Sequence, residues 1–187
     1  MVDTARKLVP GRECGTCSAC CADLLIQSKE LTKLSGVACP HCEKGCRIYE
    51  TRPAVCRDYF CGWRTMPELP DDWRPDKIGV LVHVAPNSAG RDEYNFLLIA
   101  SKFVLRDRGF ALAVARLIAA NKPTFLGVPG KPDEVPNGVF LNGGLASAVA
   151  RGDTAAITAG LLVAHEAGMR QPRQKLNLAA MKPNSSG

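Results

Sequence analysis

Residues Cys14–Cys21 read CGTCSACC, which places four thiols within eight residues near the start of the chain. Five more cysteines follow within the next forty residues, at Cys39, Cys42, Cys46, Cys56 and Cys61, and none comes after them. The chain therefore divides by composition into a cysteine-rich module over residues 11–66 and a cysteine-free remainder. A disulfide scaffold is disfavoured, because nine is an odd number of cysteines and no secretory signal precedes them. In the opening MVDTARKLVPGREC there is no apolar h-region. A cytoplasmic location with reduced thiols is the expectation.

The spacing favours metal. A C-x-x-C turn points two thiolates and several backbone N–H groups toward one ion, and redox motifs share that single turn. Two such turns with further cysteines in one short module are a much stronger signal. Small buried hydrophobes, which free cysteines often are, would account for one or two of the nine and not for the set.

Two metals fit the spacing. Zinc would use Cys14/Cys17 and Cys39/Cys42 as two knuckles, joined by a loop slightly longer than usual. Iron–sulfur chemistry would use the triplet Cys14, Cys17 and Cys20, with Cys39 ahead of Pro40 as the remote ligand. Cys20 and Cys21 are adjacent, so their side chains diverge and would serve different metals or different irons of one centre.

The second cysteine segment, CPHCEKGCRIYETRPAVCRDYFCGW (Cys39–Trp63), extends the pattern. Together with CGTCSACC it resembles the CxxCxxCC family of zinc- or iron-chelating domains, whose cysteine module is also found in flagellin lysine N-methylases. The resemblance covers roughly a third of the chain. It runs through Gly45, Tyr49, Arg52, Pro53, Cys56, Arg57 and Cys61 in order. It implies Cys14, Cys17, Cys20, Cys21, Cys39, Cys46, Cys56 and Cys61 as ligands, enough for two four-coordinate sites. Cys42 falls where the family pattern has no cysteine, which undercuts the two-knuckle zinc reading. The balance tips to an iron–sulfur cluster, with zinc as the alternative.

Around the ligands, Cys42 and His41 are candidates for a further ligand or a supporting contact. Arg52 and Arg57 are candidates for tuning the thiolates or contacting anions, although salt bridges with Glu50 and Asp58 are the plainer expectation. RPAVCRDYFC should form a short helix, begun by Pro53 and carrying both Cys56 and Cys61. Tyr49, Tyr59, Phe60 and Trp63 should shield the sulfurs from water. So small a module should draw much of its folding free energy from the metal.

Beyond MPELPDDWRP (residues 66–75), read as a turn or short linker, the pattern changes. KIGVLVHVAP and EYNFLLIA read as two strands separated by NSAGRD. FVLRDRGFALAVARLIAANK reads as one helix with Phe110, Val114, Leu117 and Ile118 on its inner face. TFLGV and GVFLN read as two short strands, and GGLASAVARG and DTAAITAGLLVAHEAGM as two helices, the last capped by Asp153. The expected fold is thus α+β: a small metal-bound module, then a small α+β layer over residues 73–172, then a flexible tail at 173–187.

Composition narrows the function classes. The net charge of +6 is modest and its lysines and arginines are scattered, so a nucleic-acid footprint is not favoured. No run of about 18 apolar residues occurs, so no membrane span is expected. No catalytic motif stands out: His165-Glu166 lacks a second histidine, and LNGGLASAVARGD is neither a P-loop nor a dinucleotide fingerprint. Methyl transfer is not carried over from the methylases, whose additional region this chain is too short to match. The expectation is electron transfer, or an accessory role beside an oxidoreductase, through a protein redox partner. The alternatives are a zinc-stabilised binding module and a metal-handling protein.

Overall fold

A computed structural model describes residues 7–99 and 102–177. Up to Gly79 the chain forms only short elements, because it is rich in cysteine, glycine and proline and has no sustained apolar period. Helix α1 (Ala19–Asp23) is followed by a two-stranded hairpin of β1 (Ile26–Gln27) and β2 (Thr32–Lys33). The hairpin turn is held by Ser28, whose Oγ accepts from the Leu31 and Glu30 N–H groups at 3.0 and 3.2 Å. Three four-residue helices follow: α2 (Ala54–Arg57), α3 (Gly62–Thr65) and α4 (Pro75–Ile78). Pro53 stands at the start of α2.

The second half is regular. Strands β3 (Val80–Pro86) and β4 (Asp92–Leu98) form an antiparallel hairpin, in register from Val80↔Leu98 to Pro86↔Asp92. Asn87 stabilises the turn by accepting the Ala89 and Arg91 N–H groups at its Oδ1, both at 3.0 Å. Strand β5 (Thr124–Val128) lies parallel to β4, and β6 (Asn137–Phe140) lies antiparallel to β5, giving the order β3-β4-β5-β6. Helices α5 (Arg108–Ala119), α6 (Asn142–Ala150) and α7 (Thr154–Arg170) complete the layer. The Asp153 carboxylate accepts the Ala156 N–H at 2.9 Å and starts α7 as expected.

The fold is α+β, and from Val80 onward its strands and helices lie where the sequence placed them. Before that, α1, β1, β2, α3 and α4 are not expected from the sequence, and Lys77 and Ile78, read as the start of a strand, close α4 instead. In the second half one element differs. The single helix expected over 103–122 is a 3₁₀ turn (Lys102–Arg106) followed by α5. Asp107 divides them, since its side chain accepts the Phe110 N–H at 2.8 Å and caps α5 there. Of the tail expected at 173–187, residues 178–187 lie outside the described set. Residues up to 177 are tied back: Arg173 donates to the Val128 carbonyl at 2.8 Å, and the Leu176 N–H donates to Asp133 O at 2.8 Å. Among the described residues no helix is long and apolar enough to cross a membrane.

Alternation along the strands gives the sheet two occupied faces. Val80, Val82, Val84, Phe96 and Leu98 point into a core shared with Phe110, Val114, Leu145, Ile157 and Leu161 of the helices. Phe96 meets Phe110 edge to face at 5.4 Å between centroids. The opposite face carries Leu81, His83, Asn95 and Leu97, and against it lies the cysteine half of the chain.

The joining stretch belongs to the helix-side core: Met66, Leu69 and Trp73 are buried in it, and Trp73 stacks on Phe110 at 6.1 Å. Arg12 fastens the N-terminal segment to this stretch. Its guanidinium donates to the carbonyls of Trp63, Met66 and Leu69 and pairs with Asp71 at 2.8 Å.

Candidate metal centre

Both C-x-x-C segments form the expected tight turns. The Cys17 N–H donates to the Cys14 carbonyl at 2.8 Å, and the Cys42 N–H to the Cys39 carbonyl at 2.9 Å. Two backbone features bring the segments together. The Cys39 N–H donates to Cys21 O at 2.9 Å. Gly45 packs its Cα against the first turn, in a positive-φ conformation (117°) where a Cβ would stand 2.6 Å from the Gly15 carbonyl oxygen. Only glycine meets both requirements. Cys46 follows directly and pairs across a short bridge with Cys42. The single helix expected to carry both Cys56 and Cys61 is two: α2 carries Cys56 and ends at Arg57, and Cys61 stands immediately before α3.

All nine cysteines are free thiols. Cys14, Cys17, Cys20, Cys21, Cys39, Cys46 and Cys56 line one cavity of about 440 Å³ between the cysteine half and the sheet. The eighth cysteine of the expected set, Cys61, joins Cys14, Cys17 and Cys20 around a second, small cavity of about 30 Å³ beside it. Cys42 lies within hydrogen-bonding reach of Cys21. Among the described residues, no three His, Cys, Asp or Glu side chains already converge on the position of a single ion. The thiols surround a space instead of meeting at a point.

The remaining expected residues divide. His41 lines the larger cavity from an exposed position. Arg57 is exposed and pairs with Asp58 at 3.3 Å, the plainer of its two expected roles. Arg52, the other candidate, lines the cavity, its guanidinium 3.7 Å from the Tyr49 ring centroid. Tyr49, Tyr59 and Phe60 line the larger cavity, and Trp63 lines the small one.

Two basic residues at the site were not anticipated. Arg64 donates to Cys14 Sγ at 3.4 Å, with its guanidinium 5.5 Å from the Phe60 ring centroid. Lys33 is buried, and its ammonium donates to the carbonyls of Ala22, Leu24 and Leu34, pinning the chain as it leaves α1. Lys33 carries no spacing signal. Arg64 stands three residues after Cys61 across the start of α3, an interval that could have drawn attention to it, but nothing local links it to Cys14.

Electrostatics favour the protonated form of six of the thiols. Burial pushes Cys17 up to about 11 and also raises Cys42, Cys46, Cys56 and Cys61. Cys21 is raised further, first by its hydrogen bond with Cys20 and then by burial. Bound metal would replace these protons, so affinity for it must rise with pH.

The donor chemistry suits a thiolate-bound centre. Arg52 Nε and Tyr59 Oη are buried on the larger cavity without a hydrogen-bond partner, and Arg64 Nε is likewise unpartnered on the small one. Three unpaired donors around clustered sulfurs match the need of a negatively charged centre for N–H and O–H contacts. Comparison with family models, curated proteins and solved structures finds no match to this chain. The resemblance described above rests on the quoted residues.

Proposed function

We propose that this protein is a metal-binding cysteine-cluster protein of the CxxCxxCC kind, holding iron–sulfur centres and serving electron transfer or an accessory role beside an oxidoreductase in the cytoplasm. The observation that carries this reading is the enclosure of one cavity by seven of the eight expected ligands, with the eighth on its smaller neighbour. The two cavities also support a grouping. Cys14, Cys17, Cys20 and Cys61 form one set of four, with Cys61 in the place that the spacing alone gave to Cys39. Cys21, Cys39, Cys46 and Cys56 form the other, and the Cys20–Cys21 peptide links them. When bound, such a centre supplies reversible one-electron chemistry. The chain's own part is to hold the thiolates, place Arg52 and Arg64 near their charge, and limit water through Tyr59 and Phe60.

Iron–sulfur is favoured over zinc on size. Four thiolates on one zinc ion at about 2.3 Å stand roughly 3.8 Å from one another. The seven thiols around about 440 Å³ have room for a polynuclear centre, and the size argument applies to that cavity and not to the one of about 30 Å³ beside Cys61. A zinc-stabilised binding module is the second reading. It is favoured by the scarcity of apolar packing among residues 7–61, where Ala19 and Cys39 are the buried apolar residues.

Anaerobic purification with elemental analysis and an absorption spectrum decides between them. Iron with acid-labile sulfide and a visible charge-transfer band bleached by dithionite is the expected result. A colourless protein with stoichiometric zinc would establish the second reading, and a metal-free folded protein would reject both.

A further inference from the structure

We infer that Lys33 is a positioning residue for the second set of ligands, placing a fixed positive charge beside Cys21 and Cys39 when that set carries a metal. This rests on the metal reading above. Four thiolates outweigh the charge of a divalent ion, so such a set gains from cations placed near its sulfurs. The first set has one in contact, since Arg64 donates to Cys14 Sγ at 3.4 Å. In the second set, Arg52 is the positive charge acting on Cys46 and Cys56. For the other two sulfurs the cation is Lys33, whose charge acts on the Asp23 carboxyl and then on Cys39, Cys21 and Cys20.

The chain builds a socket for this ammonium. Lys33 stands on β2 opposite Ile26 and is 6% exposed. Its three N–H groups are spent on the carbonyls of Ala22 at 3.1 Å, Leu34 at 2.9 Å and Leu24. The Ser35 hydroxyl donates to the Asp23 carbonyl at 2.6 Å and closes the same loop. With every N–H engaged by backbone, the ammonium forms no hydrogen bond to a sulfur and acts through its charge.

The ligands themselves fix where that charge sits. Ala22 directly follows Cys21, and the Cys21 carbonyl accepts the Cys39 N–H at 2.9 Å. The carbonyl that holds the ammonium is therefore one residue from the first sulfur and one hydrogen bond from the segment carrying the second. Burying an ammonium is unfavourable, and holding three carbonyls together does not require a full charge. What a lysine adds at this place is the charge.

Cobalt(II) is the probe, loaded into the purified full chain under anaerobic, reducing conditions and read by its thiolate charge-transfer absorption. Affinity comes from competition with EDTA, and two cobalt ions per chain are expected. Lys33→Gln removes the charge and keeps amide N–H donors. It should weaken one of the two ions about tenfold and leave the other unchanged. Lys33→Arg keeps the charge, and Arg12 shows that a guanidinium fits among three carbonyls. That variant should bind within about twofold of the unsubstituted chain. Equal weakening in both variants would assign Lys33 to holding the chain alone and overturn the inference. Unchanged binding in Lys33→Gln, or equal weakening of both ions, would overturn it too. Absence of the cobalt–thiolate band from the unsubstituted chain would instead reject the metal reading, and this inference with it.

Discussion

Arg12 shows how one side chain can matter more through its backbone partners than through its charge. Its carboxylate partner Asp71 is 91% exposed, so that ion pair is screened and worth little. The carbonyls of Trp63, Met66 and Leu69 are different, because they lie inside and lose their partner if the guanidinium is removed. Arg12→Ala should therefore cost about 3 kcal/mol or more in denaturant unfolding, and Asp71→Ala less than about 1 kcal/mol. Comparable losses for the two variants would place the stabilisation in the ion pair. At this scale the sequence is legible for the cysteines and for the aromatic residues beside them, and opaque for partners from other segments. Eight thiols could be named from spacing and resemblance, and Tyr49, Tyr59, Phe60 and Trp63 line the cavities as expected. Lys33, and the link from Arg64 to Cys14, depend on how distant segments meet, and no local pattern encodes that.

Among the elements, legibility follows regularity. Strands β3 and β4 and helix α7 stand out because β-branched runs and capped apolar periods are local signals. The break before α5 turns on one aspartate choosing the Phe110 N–H, a competition that apolar periodicity does not register. The short helices of the cysteine half depend on contacts with the sheet. Helix α3 is the clearest case: Gly62 lies so close to β3 that a Cβ would stand 2.7 Å from the Val82 side chain. Gly62→Ala should force α3 away from the strand and cost about 1–3 kcal/mol in thermal or denaturant unfolding. Since Cys61 immediately precedes α3, metal content per chain should fall in the same variant. Unchanged metal content would show that Cys61 tolerates the shift.

The whole molecule has an uneven distribution of cohesion. The helix-side core runs from Trp63 to Leu161 and includes most of the buried apolar residues. Residues 7–61 instead carry thiols, left-handed glycines and a buried lysine. If metal holds that half together, chelation under reducing conditions should release it alone. Hydrogen exchange should then show loss of protection across residues 14–61, with β3–β5 and α5–α7 still protected. Simultaneous loss in both halves would mean one cooperative unit, and no loss would mean that metal contributes nothing to folding.

Leu81 has no measurable exposure although it faces away from the main core, and what covers it is the cysteine half. If the cysteine half folds only around metal, a chain without it would uncover that leucine together with Leu97, presenting sticky strand surface to chaperones and proteases. Cellular lifetime would in that case report metal supply, with starved molecules cleared ahead of loaded ones.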